Sequence, residues 1–189
     1  MHEVGATPEQ AAAPLVTVGV HGFGLRSFLA ALRGADVGLL LDVRQRRGVR
    51  GAEHAWANSR RLQAALERAW VAYEHRADLA PTTELRQLQY AEDERQGVGK
   101  RSRVELADEY VRRYTTEVLD GVDLTSVAAA LETGPVALLC VEADPRACHR
   151  SLVASRVAEE FGVTVEHLRP PGTGTPDGHR GATGSRGHG

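Results

Sequence analysis

Short apolar runs alternate along this chain with amphipathic segments of helical period. The apolar runs predict β-strands, which lie at residues 15–20, 37–43, 71–74, 136–141 and 163–167. The segments between the runs predict helices at residues 25–32, 58–70, 83–96, 104–119, 123–131 and 148–161. This alternation predicts an α/β fold, a single three-layer domain with a mostly parallel sheet of about five strands and helices on both faces.

The two ends of the chain differ in composition from the part between them. Residues 1–14 are rich in Ala, Pro and Glu, and residues 169–189 are rich in Gly, Pro, Thr and Ser. Such compositions bury little apolar surface and favour disorder. We therefore expect a disordered lead at 1–14, one α/β domain at 15–168 and a disordered tail at 169–189.

The overall composition is that of an ordinary globular protein, with 42% hydrophobic and 25% charged residues. No apolar run approaches the ~20 residues that a membrane-spanning helix needs. The N-terminus lacks the basic start and apolar core of a secretory signal, and the chain has only two cysteines. These features predict a cytoplasmic, reducing location and no membrane partner. They predict no oligomeric state.

Polar residues follow three of the predicted strands. His21 follows the first strand, Arg44 follows the second, and the segment 142–150 follows the fourth. Right-handed crossovers place the carboxyl ends of parallel strands at one edge of the sheet, where the ligand crevice of such folds lies. We therefore expect these residues to border one pocket.

The segment 142–150 carries the candidate catalytic residues, which are Glu142, Cys148 and His149. Asp144 followed by Pro145 is typical of a helix start, and the positive field of a helix N-terminus favours the thiolate of a nearby cysteine. An adjacent imidazole can transfer protons near neutral pH. The alternative is that Asp144 is only a cap, Cys148 a packed small residue, and the His149 and Arg150 side chains surface groups.

Arginines are concentrated between residues 44 and 61, where six of them accompany a single acid, although the whole chain has a net charge of −2. Guanidinium groups bind phosphate and carboxylate in a bidentate manner, so this loop is a candidate anion site. The candidate substrate-binding residues are Asp42, Arg44, Arg46 and Arg150. The alternation of the strand puts Asp42 and Arg44 on one side, where they can instead form a structural ion pair.

Three functions fit these residues. The first is an enzyme acting on an anionic, phosphate-containing or nucleotide-like substrate at the carboxyl edge of the sheet. The second is a nucleic-acid binding module in which the 44–61 loop contacts phosphates and Trp56 stacks on bases. The third is rhodanese-like sulfur transfer through Cys140 or Cys148. The expected partner is accordingly an anionic small molecule or a nucleic acid.

No cofactor and no metal ion is predicted. The chain has no Cys-x2-Cys or His-Glu-x2-His pattern, and Cys140, Cys148 and His149 form an incomplete set of zinc ligands.

Three segments resemble the domain-of-unknown-function family number 488. They are LLLDVR (39–44) with the arginine loop after it, LQAALERAWVAYEHRADLA (62–80) and ALLCVEADPRACHRSLVASRVAEEFG (137–162). The resemblance covers about residues 15–168. Members usually have a Thr-Ile-Gly-His-Ser-like first strand end, where this chain has Thr17 to His21, and Leu-Gly-Gly where it has Leu79 to Pro81. The resemblance implies an α/β fold with a shared polar pocket, and it implies no reaction.

Overall fold

The structure is a computed structural model, and it describes residues 12–99 and 102–172. Most of the predicted lead and tail, residues 1–11 and 173–189, lies outside the described residues.

The centre of the fold is a parallel sheet of five strands, which confirms the predicted α/β class. The strands are β1 (Leu15–Gly19), β2 (Leu39–Asp42), β3 (Ala72–His75), β4 (Val136–Cys140) and β5 (Val165–His167). Their order across the sheet is β3-β2-β4-β1-β5, and every pairing is parallel. Val136 at the start of β4 pairs with Leu15 of β1 on one side and with Leu39 of β2 on the other.

Helices cover both faces of the sheet. They are α1 (Leu25–Gly34), α2 (Ser59–Arg68), α3 (Thr83–Arg95), α4 (Asp108–Glu117), α5 (Thr125–Leu131) and α6 (His149–Phe161). No helix in the described ranges is long and apolar enough to span a bilayer.

The side chains of β4 alternate between two apolar cores. Ala137 and Leu139 pack in the core beneath α1 and α2, whereas Val136, Leu138 and Cys140 pack in the core beneath α4, α5 and α6. Each residue of β4 is therefore buried on one face or the other, and this explains why the strand is a continuous apolar run.

A crevice opens at the carboxyl end of β4. The chain leaves β4 towards α6 on one face of the sheet, whereas it leaves the neighbouring strands β1 and β2 towards α1 and α2 on the opposite face. Connections that diverge in this way leave a gap beyond the strand ends. The segment 141–148 borders that gap.

Two predicted helix starts are corrected by the structure. The helix predicted over 104–119 spans only Asp108–Glu117, and the Ala107 amide just before it donates to the Gln89 side chain at 2.9 Å. The helix predicted from 148 begins at His149, with Cys148 as its N-cap residue. Asp144 instead caps a separate 3₁₀ turn, Pro145–Ala147, by accepting a hydrogen bond from the Arg146 amide.

Packed residues extend slightly beyond the predicted domain limits. The Ala13 amide donates to the Leu131 carbonyl, and Pro170 is buried, with its ring directly over Gly22. We therefore expect a chain truncated to residues 13–170 to be more stable than one truncated to 15–168, as thermal unfolding would measure.

Candidate functional site

A cavity of about 320 Å³ lies at the carboxyl ends of β2 and β4. Its lining includes five residues predicted for the site, which are Arg44, Arg46, Glu142, Cys148 and His149. The two other predicted residues, Asp42 and Arg150, are fully buried and are not part of the lining. A cavity therefore lies at the strand ends, where the sequence places it. Six side chains were predicted to share it; Arg44, Glu142, Cys148 and His149 line it, whereas Asp42 and Arg150 lie behind its wall.

Asp42 and Arg44 form a buried ion pair. Arg44 donates from Nε to one Asp42 oxygen at 2.8 Å and from Nη2 to the other at 2.7 Å, and Nη1 donates to the Ala57 carbonyl at 3.0 Å. Tyr73 donates its hydroxyl to the same carboxylate at 2.7 Å. Every guanidinium nitrogen of Arg44 thus already has a protein acceptor, so the structural interpretation of the pair fits better than a role in holding substrate.

Arg150 is a buried cation that holds the loop after β4. Its guanidinium donates to the carbonyls of Glu142 and Ala143 at 2.6 and 3.0 Å. Within residues 12–99 and 102–172, its Nε has no hydrogen-bond partner, and no carboxylate forms an ion pair with it. Its positive charge therefore acts on the nearby thiols through the protein interior.

Two thiols and an imidazole meet at the floor of the cavity. His149 Nδ1 lies 3.7 Å from Cys140 Sγ and 3.9 Å from Cys148 Sγ. The other ring nitrogen, Nε2, lies 2.9 Å from the Val43 carbonyl oxygen. Because a carbonyl oxygen only accepts, we assign the hydrogen to Nε2, and a neutral imidazole then presents the lone pair of Nδ1 to both sulfur atoms.

The pKa values of the two thiols move in opposite directions. The hydrogen bond that Cys140 shares with Cys148, together with burial, raises the pKa of Cys140 well above its ordinary value. Burial opposes ionisation of Cys148, but the hydrogen bond from Cys140 and the positive charge of Arg150 favour the thiolate, and the pKa of Cys148 lies well below its ordinary value. Its place as N-cap of α6 acts in the same direction.

We expect the two cysteines to differ in their rates of alkylation. Near neutral pH, Cys148 is predicted to react faster with iodoacetamide than Cys140, because only a thiolate is nucleophilic and the pKa of Cys148 is the lower one. As pH rises, the rate at Cys148 should reach its plateau at a lower pH than the rate at Cys140, because the pKa of Cys148 is lowered and that of Cys140 is raised. Mass spectrometry of each cysteine peptide, with EDTA present to remove metal ions, measures both rates. Equal, slow labelling would identify Cys148 as an inert packed residue.

Two exposed arginines stand at the mouth of the cavity. Arg46 and Arg50 belong to the loop between β2 and α2, which the Asn58 side chain holds by accepting from the Val49 amide at 2.7 Å. Neither guanidinium has an acidic partner among the described residues. They are therefore arginines of this loop that can bind a ligand in the cavity.

The sequence analysis did not predict that α3 and the segment before α4 form one wall of the cavity. Arg86 donates to the Gln45 side chain and lies 5.9 Å from the ring centre of Tyr90, and Arg103 joins Asp93 at 2.8 Å to Glu142 at 3.5 Å. The spacing of Arg86 and Tyr90 places them on one helix face, which is the only signal in the sequence. It does not show that this face covers the ends of the strands.

Glu142 and His21 form the polar side of the cavity. His21 Nδ1 lies 3.7 Å from a Glu142 oxygen, and both side chains are partly exposed. His21 follows β1 and Glu142 follows β4, so the parallel pairing of these strands brings the two groups together. They are a carboxylate and an imidazole within reach of a bound molecule.

The Trp56 side chain is half-buried and packs against the core rather than standing free on a binding surface. Its ring lies 4.8 Å from that of Phe28 and packs against the core beneath α1 and α2. It is therefore not available as a stacking platform for bases.

The family model described as "Domain of unknown function DUF488" matches residues 24–157, which is more than half of the chain. The chain belongs to the DUF488 family. The region matched to DUF488 contains the arginine loop and the Cys140, Cys148 and His149 cluster, whereas His21 precedes it. No curated protein and no solved structure matches the chain.

Proposed function

We propose that this protein is an enzyme that acts on a phosphate-bearing small molecule in the cavity at the carboxyl edge of its sheet. The observation that carries the proposal is that two guanidinium groups, which have no acidic partner within residues 12–99 and 102–172, line the same cavity as a thiol–imidazole cluster. The first group of residues binds an anion and the second is chemically reactive. Their coexistence in one small space favours catalysis over simple binding.

Arg46 and Arg50 supply the anion-binding end. Both are exposed at the mouth of the cavity, and a phosphate group there gains charge-assisted hydrogen bonds without breaking an existing ion pair. Arg86 and Arg103 already have protein partners, so they shape the wall and hold Glu142 rather than bind the anion directly.

Glu142, Cys148 and His149 supply the reactive end, with His21 beside them. Both ring nitrogens of His149 are engaged, one by the Val43 carbonyl and one by the sulfur atoms, so His149 acts on the thiols rather than on substrate. The Glu142 carboxylate and the His21 ring face the cavity and are the groups placed to exchange a proton with a bound molecule.

The size and lining of the cavity favour a small molecule over a nucleic acid. A volume of about 320 Å³ lies at the lower end of the range of ~300–1,000 Å³ typical of small-molecule sites. A single-strand binding groove uses exposed aromatic side chains, and Trp56 is packed against Phe28. Sulfur transfer requires one exposed persulfide-forming cysteine, whereas both cysteines here are buried and share one histidine.

The test measures stabilisation by AMP, a phosphate-bearing probe. Once AMP reaches about 100 times its Kd, it should stabilise the wild-type chain by about 2.7 kcal/mol. For a chain of this size the melting temperature then rises by about 5–10 °C. In the double variant R46A/R50A this rise should disappear, because the anion loses both guanidinium groups.

The matched control is R60A/R61A, which removes the same charge from exposed positions on α2 outside the cavity. It should respond to AMP as the wild type does. An equal loss of the melting-temperature rise in both double variants would mean that AMP binding depends only on the net charge of the protein. Absence of any shift in the wild type, with AMP or inorganic phosphate, would contradict the proposal. Tighter, steeply salt-dependent binding of a single-stranded oligonucleotide would favour the nucleic-acid alternative.

A further inference from the structure

We infer that Cys140, Cys148 and His149 bind one zinc ion, and that its fourth coordination position opens into the cavity. The donor atoms are the two Sγ atoms and His149 Nδ1, which all lie within 4.8 Å of one another. The sequence alone suggested an incomplete set, because a closed structural site needs four protein ligands. A catalytic site needs only three, with water or substrate as the fourth.

The spacing of the donor atoms agrees with tetrahedral zinc. Bond lengths of ~2.3 Å to sulfur and ~2.0–2.1 Å to nitrogen, at a tetrahedral angle, separate sulfur from nitrogen by about 3.6 Å. The two Sγ–Nδ1 distances are 3.7 and 3.9 Å. Each sulfur atom therefore needs to move by only a few tenths of an ångström relative to Nδ1, and the two sulfur atoms lie within 4.8 Å of each other.

The histidine is already oriented as a ligand. Its Nε2–H donates to the Val43 carbonyl at 2.9 Å, which leaves the Nδ1 lone pair directed at the sulfur atoms. A backbone carbonyl that holds the second nitrogen is the usual outer-shell partner of a metal-bound histidine. Val43 follows β2, so the central sheet fixes the orientation of the ring.

Rigid elements position all three ligands. Cys140 is the last residue of β4, Cys148 is the N-cap of α6, and His149 is the first residue of α6. The 3₁₀ turn Pro145–Ala147 sets the distance between the strand and the helix. A site built on strand and helix ends retains its geometry without the metal ion.

The ligand set selects the metal. Two thiolates and one imidazole are soft and borderline donors, which suit zinc and disfavour magnesium and calcium. Binding forms two Zn–S bonds and one Zn–N bond, and each thiol that enters as a thiol releases its proton to solvent. Two thiolates neutralise the two positive charges of the zinc ion. The bound ion therefore adds no net positive charge that would repel the buried Arg150 guanidinium.

The fourth coordination position of the zinc ion is the one at which it would contact a substrate. All three ligands line the cavity, so this position faces the space that Arg46 and Arg50 border. An oxygen of a phosphate-bearing substrate, or a water molecule, would occupy it. This use of the ion rests on the proposed function, whereas binding of the ion rests only on the geometry of the three ligands.

The test uses the full chain without an affinity tag, equilibrated with zinc and then dialysed. Elemental analysis should find one zinc per chain, and replacement by Co²⁺ should produce the thiolate-to-cobalt charge-transfer absorption of a tetrahedral site. Zinc should also protect both cysteines from iodoacetamide. This last readout needs no variant, so it is independent of any folding defect.

Two histidine variants provide a matched pair. His149→Gln should weaken zinc binding by at least the ~10–100-fold that loss of an outer-shell partner costs. His75→Gln should leave it unchanged, because His75 contacts the neighbouring carbonyl of Arg44 at 3.0 Å but lies outside the cluster. Far-UV circular dichroism confirms that each variant is folded.

Three results would overturn the inference. They are substoichiometric zinc with no cobalt charge-transfer band, equal zinc affinity in the two histidine variants, and a disulfide between Cys140 and Cys148 in protein purified without oxidant. The outcome is separable from that of the AMP experiment. One zinc per chain without an AMP response would support the metal site and contradict the anion site. An AMP response without bound zinc would support the anion site and contradict the metal site.

Discussion

Gly19→Ala should be among the most destabilising single substitutions in this chain. A Cβ atom at Gly19 would lie 1.9 Å from the Glu142 carbonyl oxygen and 2.8 Å from its carbonyl carbon. The obstacle is backbone, so no side-chain rotation relieves it. Overpacking commonly costs 1–3 kcal/mol, and we expect a loss of about 3 kcal/mol or more here, which lowers the melting temperature by about 6–12 °C.

The same contact links stability to the site. The Glu142 carbonyl also accepts the hydrogen bond from Arg150 at 2.6 Å, so displacing it releases the loop that presents Glu142 to the cavity. Thermal unfolding followed by circular dichroism measures the loss. Gly34→Ala is the control, because its Cβ meets nothing within 4 Å at the end of α1, and it should leave the melting temperature unchanged or slightly higher. A G19A protein as stable as G34A would show that β4 and its loop do not pack on β1 as described.

Asp42→Asn should lower the free energy of unfolding by a similar amount, because it leaves a buried charge without its partner. Asp42 and Arg44 are 0% and 2% exposed, and removal of one partner from a buried ion pair typically costs about 3–5 kcal/mol. The amide keeps one acceptor oxygen but turns an NH2 group towards the guanidinium donors. Arg44 is then left as a buried cation without a counter-charge. Urea denaturation monitored by circular dichroism should show a lower midpoint with an unchanged slope.

Two comparisons separate the charge effect from general sensitivity. Glu109→Gln breaks an ion pair with Arg112 on the exposed surface of α4, and it should leave the urea midpoint unchanged. The double variant D42L/R44M replaces the buried pair with apolar side chains and should lose less stability than D42N alone. A double variant less stable than D42N would mean that the hydrogen bonds to Ala57 and Tyr73 matter more than the missing charge.

The hydrophobic pattern was sufficient to predict the sheet. Strands that are buried on both faces are expected to be continuous apolar runs, and the run ending at Val141 is one. The run ending at Val43 contains a single charged residue, Asp42, which is buried in its ion pair with Arg44. Chain connectivity then requires the polar residues after these runs to meet at one edge. The location of the cavity therefore follows from the sequence.

Only the tertiary structure decided what each polar side chain does there. Arg44 and Arg46 are nearly adjacent in one arginine-rich loop, yet Arg44 is bound by Asp42 and the Ala57 carbonyl while Arg46 stays exposed at the cavity mouth. The nearby Asp42 suggests one partner for Arg44 from the sequence, but the Ala57 carbonyl that accepts from Nη1 comes from the end of the same loop and is brought there only by the fold. The same holds for His149, whose ring is oriented by the Val43 carbonyl from another strand. Sequence patterns record which residues are buried, but the partner of a buried polar group is chosen by packing between elements.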